Sequence, residues 1–261
     1  MALDMQALSA KLARFKGQGG TSAFWRPKEG RQHVRIVPWS ERPENPFIEM
    51  YFHYLGGRTN LSPKSHGKPD PMIEFADELL REDNSKDTWE TARKFYPKLR
   101  TYVPVVVRGE EDQGVRYWSF GKTVFQDILS YIADPDYGDI TDPLTGRDLT
   151  VEYIPQEKSD TNFAKTTVKV RPKVTPAVED DEQMDAILNN QPNFRALFTE
   201  PTYEELYQFL QRQLSGESET DSSAGSSVAT ESLTPTSAPS EGSPAPVSAA
   251  TDKFAQMFED L

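Results

Sequence analysis

Aromatic and cationic side chains are interleaved along residues 24–171. Phe24, Trp25 and Arg26 stand together, followed by Arg31 and Arg35. Tyr51, His53 and Tyr54 lie near Arg58, and Lys98, Arg100 and Tyr102 lead into a block holding Arg108, Arg116, Tyr117, Trp118, Phe120 and Lys122. Lys165, Lys169 and Arg171 close the series. Flat π faces stack on unpaired bases and cations track phosphates, so the mixture suits a single nucleic-acid strand held without sequence reading. The candidate binding residues are therefore Trp25, Arg26, Arg35, Tyr51, His53, Tyr54, Lys98, Arg100, Tyr102, Arg108, Arg116, Tyr117, Trp118, Phe120, Lys122, Lys165, Lys169 and Arg171. Taken singly, an aromatic is more often core than platform. Trp39, Phe47, Phe75 and Phe125 are assigned to the core, while basic neighbours favour Tyr102, Tyr117 and Trp118 as platforms. Strand alternation places Arg116, Trp118 and Phe120 on one face and Tyr117 on the other.

Other chemistries find less support. The absence of cysteine removes disulfides, thiolate metal sites and thiol nucleophiles together. His33, His53 and His66 form no HExxH pair, and no phosphate-binding glycine loop is present. Asp134, Asp136, Asp139 and Asp142 raise a metal-dependent nuclease or a calcium loop. Gly138 falls where a calcium ligand belongs, and a solvated acidic turn accounts for the aspartates better. The chain is read as a non-enzyme with no cofactor or metal.

The net charge of −12 argues at first against nucleic acid, but it is unevenly divided. Residues 1–173 hold 26 Lys and Arg against 25 Asp and Glu, whereas residues 174–261 hold 3 against 16. A neutral body can keep a basic groove while an acidic tail carries nearly all the negative charge. The same tail leaves an acidic adaptor or scaffold as the alternative. No apolar run approaches membrane-spanning length, and the N-terminus lacks the apolar stretch of a signal peptide. A soluble, intracellular protein without a membrane partner is expected.

The elements that must position these residues can be read in order. Met5, Leu8, Leu12 and Phe15 make a helical stripe that Lys11, Arg14 and Lys16 render basic, before the GQGG hinge. That helix either packs on its own domain or acts as an arm that docks on a neighbouring molecule. RQHVRIVPW alternates as a strand and PFIEMYFHYL follows as an aromatic-rich run. MIEFADELLRE (72–82) reads as a helix inserted before the later strands. TYVPVVV and VRYWSF, joined by the polar GEEDQG, form a hairpin, and Lys122 to Ala133 a helix with Val124, Phe125, Ile128, Leu129 and Ile132 buried. LTVEYIP and TTVKVRP are two more strands. The fold class is mainly β with helical insertions, an OB-type barrel followed by a disordered acidic C-terminal tail.

Further along, Thr202 and Glu205 make a capping box that opens TYEELYQFLQRQL. Residues 215–251 are Ser, Thr, Pro, Ala, Gly and Glu almost throughout, a composition too polar to order itself. Apolar spacing returns at Phe254, Met257, Phe258 and Leu261, either a frayed end or a partner-docking tip on a tether. The expected organisation is an arm and hinge over 1–20, a core over 21–178 with an insertion at about 70–96, a helical segment over 179–214, a linker over 215–251 and the tip at 252–261.

The block RTYVPVVVRGEEDQGVRYWSFGKTVFQDIL resembles the core hairpin and helix of the T-even-type phage single-stranded DNA-binding proteins. RQHVRIVPWSERPENPFIEMYFHY is similar to the family's opening strands, and the basic KLARFK and terminal FEDL match its arm and tail plan. The resemblance covers approximately residues 20–175 and rests on the order of these features. It implies an OB barrel, a single-stranded DNA ligand, self-association on DNA through Lys11, Arg14 and Lys16, and recruitment of replication and recombination proteins through the tail. It also implies residence in the cytoplasm of an infected host cell. One departure stands out. The T-even proteins hold zinc with one histidine and three cysteines; here His66 keeps a similar context, but Asp70 and Ile73 occupy positions where cysteines are expected.

Overall fold

The computed structural model describes residues 23–215. In chain order its elements are β1 (Phe24–Trp25), β2 (Gly30–Ile36), β3 (Ile48–Leu55), β4 (Arg58–Leu61), α1 (Pro71–Glu82), α2 (Lys86–Ala92), β5 (Lys98–Val107), β6 (Arg116–Phe120), α3 (Lys122–Ala133), β7 (Arg147–Ile154), β8 (Lys165–Val174), α4 (Asp181–Asn189) and α5 (Tyr203–Ser215). The described chain divides into two units, one made of residues 23–48 and 101–197, the other of 49–100 and 198–215.

In the first unit the strands pair in the order β1-β6-β5-β2-β7-β8. β1 runs parallel to β6, and the remaining neighbours on this path are antiparallel. The mainly-β class with helical insertions is what is found. Among the described residues no pairing joins β1 to β8, so the sheet is open where a complete barrel would close.

Alternation explains the layering. Val34 and Ile36 of β2, Leu149 and Val151 of β7, and Val168 of β8 point into one core with Val103, Val105, Trp118 and Phe120. Helix α3 covers that core with Val124 and Ile128, helped by Phe125 and Ile132. β5 is buried on both sides from Thr101 to Val107, because Val106 joins Val37, Val115, Ala177, Val178 and Ile187 in a second cluster. A proline within a central strand needs a place without a ladder bond. Pro104 has one: β2 ends at Ile36, and beyond it the Val37 N–H donates to the Pro104 carbonyl at 3.1 Å.

In the second unit β3 and β4 form a hairpin with Leu55 opposite Arg58, closed by Gly56 and Gly57. Both glycines have positive φ, 57° and 73°, as the two-residue turn that follows strand twist requires. Asp70 caps α1 by accepting from the Met72 and Ile73 N–H groups, with Pro71 at the first helical position. Met72, Phe75, Ala76 and Leu79 pack with Ala92, Phe95 and with Leu206, Phe209 and Leu210 of α5. The insertion is thus held by apolar packing, and α5, which the sequence reading placed in a separate helical segment, completes its core. The Thr202 capping box is formed, its N–H donating to Glu205 Oε2 at 2.8 Å and the Glu205 N–H to Thr202 Oγ1 at 3.2 Å. The arm residues Lys11, Arg14 and Lys16, the linker, and the tip residues Phe254, Met257, Phe258 and Leu261 lie outside the described residues.

Candidate nucleic-acid interface

The outer face of β2, β7 and β8, opposite the core, is polar and cationic. Cross-strand rows order it: His33, Thr150 and Lys169 are neighbours in one row, Arg31, Glu152 and Thr167 in the next. Lys165, Lys169, Arg171 and Lys173 are exposed along β8, and among the described residues none of the four has an ion pair. Alternate residues of a strand stand about 6.7 Å apart. Between Val170 and Val174 the register against β7 shifts by two residues, so Arg171 and Lys173 lie in an irregular stretch of the strand. Glu152 is engaged by Arg31 Nε at 3.0 Å, so the face keeps a surplus of cations. Phe163, 47% exposed, lies two residues before Lys165 and supplies an aromatic ring at the head of the row.

The aromatics of β1 and of the central hairpin have another place. Trp25, Tyr102, Tyr117, Trp118 and Phe120 are all buried and offer no face to a ligand. Trp118 meets Trp25 edge-on at 5.6 Å and Phe120 at 4.7 Å inside the core. Tyr117 and Tyr102 pack on Phe194 from the opposite side of the sheet, and burial pushes the Tyr117 hydroxyl up to about 12 while it donates to the Pro192 carbonyl. Their expected role as stacking platforms is corrected to packing, because β5 and β6 are covered on both faces.

Several cations are likewise structural. Arg35 and Arg108 share the Asp148 carboxylate: Arg35 donates from Nε at 3.1 Å, and Arg108 from Nε at 3.1 Å and Nη2 at 2.8 Å. Arg35 also donates to Thr175 Oγ1, and Arg108 to the Pro176 and Ala177 carbonyls, so the two guanidinium groups clamp the chain after β8. Burial lowers the Arg35 pKa, with the Asp148 charge opposing it. Arg116 is buried and donates to Glu110 at 2.6 Å. His53 faces the Phe95 carbonyl through Nδ1 at 2.8 Å and Asp70 through Nε2 at 2.9 Å, wholly out of solvent. These groups are spent within the fold.

What remains of the expected set is exposed or half-exposed. Lys165, Lys169 and Arg171 form the β8 row, Lys122 opens α3, and Arg26 follows β1. In the second unit Lys64 lies 4.9 Å over the Tyr51 ring and Lys98 5.8 Å over Tyr54, whose hydroxyl accepts from Arg100 Nε at 3.3 Å. Tyr51 and Tyr54 point to opposite faces of β3, so they do not make one platform. Sequence reasoning missed Lys173, whose two-residue spacing from Arg171 signalled it, and Phe163, which stands in a polar loop without a local pattern. Asp134, Asp136, Asp139 and Asp142 occupy turns, where Asp134, Asp139 and Asp142 accept from backbone N–H groups. Among the described residues no group of three or more His, Cys, Asp or Glu is placed to hold a metal ion.

An open sheet with an apolar core on one side and, along β8 on the other, exposed cations without ion pairs among the described residues has the footprint of a nucleic-acid-binding module. Residues 28–216 match the family model described as gp32 DNA binding protein like, and the chain belongs to that family. The match runs from just before β2 to the end of α5 and includes both units. It agrees with the resemblance to T-even-type single-stranded DNA-binding proteins read from the sequence. Comparison with curated proteins returns no match. Among the described residues no helix is long and apolar enough to cross a membrane.

Proposed function

We propose that the protein coats and protects single-stranded DNA during phage DNA replication, recombination and repair, with the outer face of β8 as its phosphate track. The supporting observation is the row Lys165, Lys169, Arg171 and Lys173, exposed and without ion pairs among the described residues, in a sheet where Arg31, Arg35, Arg108 and Arg116 are each ion-paired. Phosphates lie along the row while bases splay outward, and Phe163 stacks on one of them. A duplex keeps its base faces stacked, so only the unpaired form gains the stacking term. Preferential binding to that form destabilises duplex by mass action.

The remaining parts of the plan belong to the same proposal. The basic arm bearing Lys11, Arg14 and Lys16 docks on the neighbouring copy along the strand. Residues 216–261 carry eight Asp and Glu against one Lys, and they compete with DNA for the cationic face at low salt. DNA displaces them and frees the tip at Phe254, Met257, Phe258 and Leu261 for replication and recombination proteins. The test is a titration with oligo-dT and a matching duplex, on the full chain and on a variant ending at Ser215. Tight binding of the single strand, strengthened at low salt by the truncation, is expected. Failure of both chains to retain oligo-dT would leave the acidic adaptor as the better reading.

A further inference from the structure

Of the four tryptophans, Trp25, Trp39 and Trp118 are at most 5% exposed, whereas Trp89 is 48% exposed. It rises from α2, whose buried residue is Ala92. The start of this helix is firmly built: the Ser85 and Thr88 hydroxyls both donate to Asp83 Oδ2, at 2.7 and 2.5 Å, and the Thr88 N–H donates to Ser85 Oγ. One turn after Trp89, Arg93 sets its guanidinium 5.5 Å from the indole centroid, and the exposed Lys94 follows. The nearby Glu90 is engaged by Lys86 at 3.8 Å.

We propose that Trp89 and Arg93 form a second contact for single-stranded DNA, within the unit built from residues 49–100 and 198–215. An unpaired base stacks on the open face of the indole, and Arg93 with Lys94 attends the adjoining phosphates. The surroundings decide between a base and a protein partner. Trp89 sits among charged side chains, Lys86, Glu90, Arg93 and Lys94, without the contiguous apolar surface that the core of a protein interface needs. A single π face beside a cation suits a nucleobase. The inference rests on the DNA-binding reading and adds a contact separate from the β8 row.

The test uses the full chain, intrinsic tryptophan emission and the anisotropy of labelled oligo-dT. Because the other three tryptophans are buried, emission from the exposed indole should be quenched as oligo-dT is added, and Trp89→Phe should abolish that change while keeping most of the affinity. Trp89→Ala should bind about 5- to 140-fold more weakly, the range expected for one lost base stack. Circular dichroism should show both variants folded, since the side chain is exposed. Unchanged affinity in Trp89→Ala, with emission unmoved at saturating DNA, would overturn the inference while leaving the β8 track intact. Emission that shifts with protein concentration in DNA-free buffer would assign the surface to a second copy and overturn it too. No binding of oligo-dT by the unsubstituted chain would overturn this contact and the DNA-binding reading together.

Discussion

Replacing Trp118 by alanine separates the core from the interface. The side chain is 1% exposed and packs between Trp25 and Phe120 in edge-to-face contacts with centroids 5.6 and 4.7 Å away. Emptying such a site costs about 3–5 kcal/mol of folding stability. For a protein of this size that lowers the melting temperature by roughly 6–20 °C. A stacking platform would behave differently, losing about 1–3 kcal/mol of binding with stability untouched. Urea unfolding followed by near-ultraviolet circular dichroism, beside oligo-dT anisotropy at a temperature where the variant is folded, distinguishes the two. The structure requires a lowered midpoint and near-normal affinity of the folded fraction. An unshifted midpoint with weakened binding would refute the placement of Trp118 in the core.

Asp148→Ala strands Arg35, which has no exposed surface, and should cost about 3–5 kcal/mol in denaturant unfolding. Asp70 gives a pH signature. Burial pushes its pKa up, but the hydrogen bond and charge of His53, with the Ser62 and Met72 donors, outweigh this and hold it below the ordinary value. A depressed carboxylate stabilises the fold above its unfolded pKa, and that contribution is lost as pH falls through the folded one. Acid unfolding should therefore steepen below about pH 4, and Asp70→Asn should be less stable at neutral pH with a flatter acid limb. Gly56→Ala should cost about 1–2 kcal/mol from its left-handed backbone, and an added Cβ would also meet the end of the Gln213 side chain. Thermal melts of Gly57→Ala, where an added Cβ would meet no side chain or backbone beyond its chain neighbours, isolate the backbone part.

Local patterns in the sequence carried far. The helix over Lys122–Ala133, the hairpin of β5 and β6, and the Thr202 capping box rest on periodicities and side-chain reach that span a few residues, and they are as expected, except that Leu129, read onto the buried face of the helix, is 40% exposed. Alternation separated Trp118 from Tyr117 correctly, but it states only that two faces differ. Both faces of β5 and β6 are covered, by α3 on one side and by Phe194 on the other, and that covering comes from distant chain. Arg35 read as a phosphate contact because its partner Asp148 is 113 residues away. The parallel pairing of β1 with β6 is equally non-local. Helix α2 escaped because KDTWETA has little apolar periodicity, its cap and polar network doing what packing does elsewhere.

The central claim is that single-stranded DNA lies along the cations of β8. The direct measurement is the salt dependence of oligo-dT affinity, comparing the full chain with the variant in which Lys165, Lys169, Arg171 and Lys173 are all alanine. Each phosphate contact on a single strand contributes about 0.7 to the slope of log affinity against log salt. If all four cations neutralise phosphates, the slope should fall by about 2.8 and affinity should drop, with the melting temperature little changed because these side chains are exposed. A folded variant with the same slope and affinity as the full chain would contradict the account.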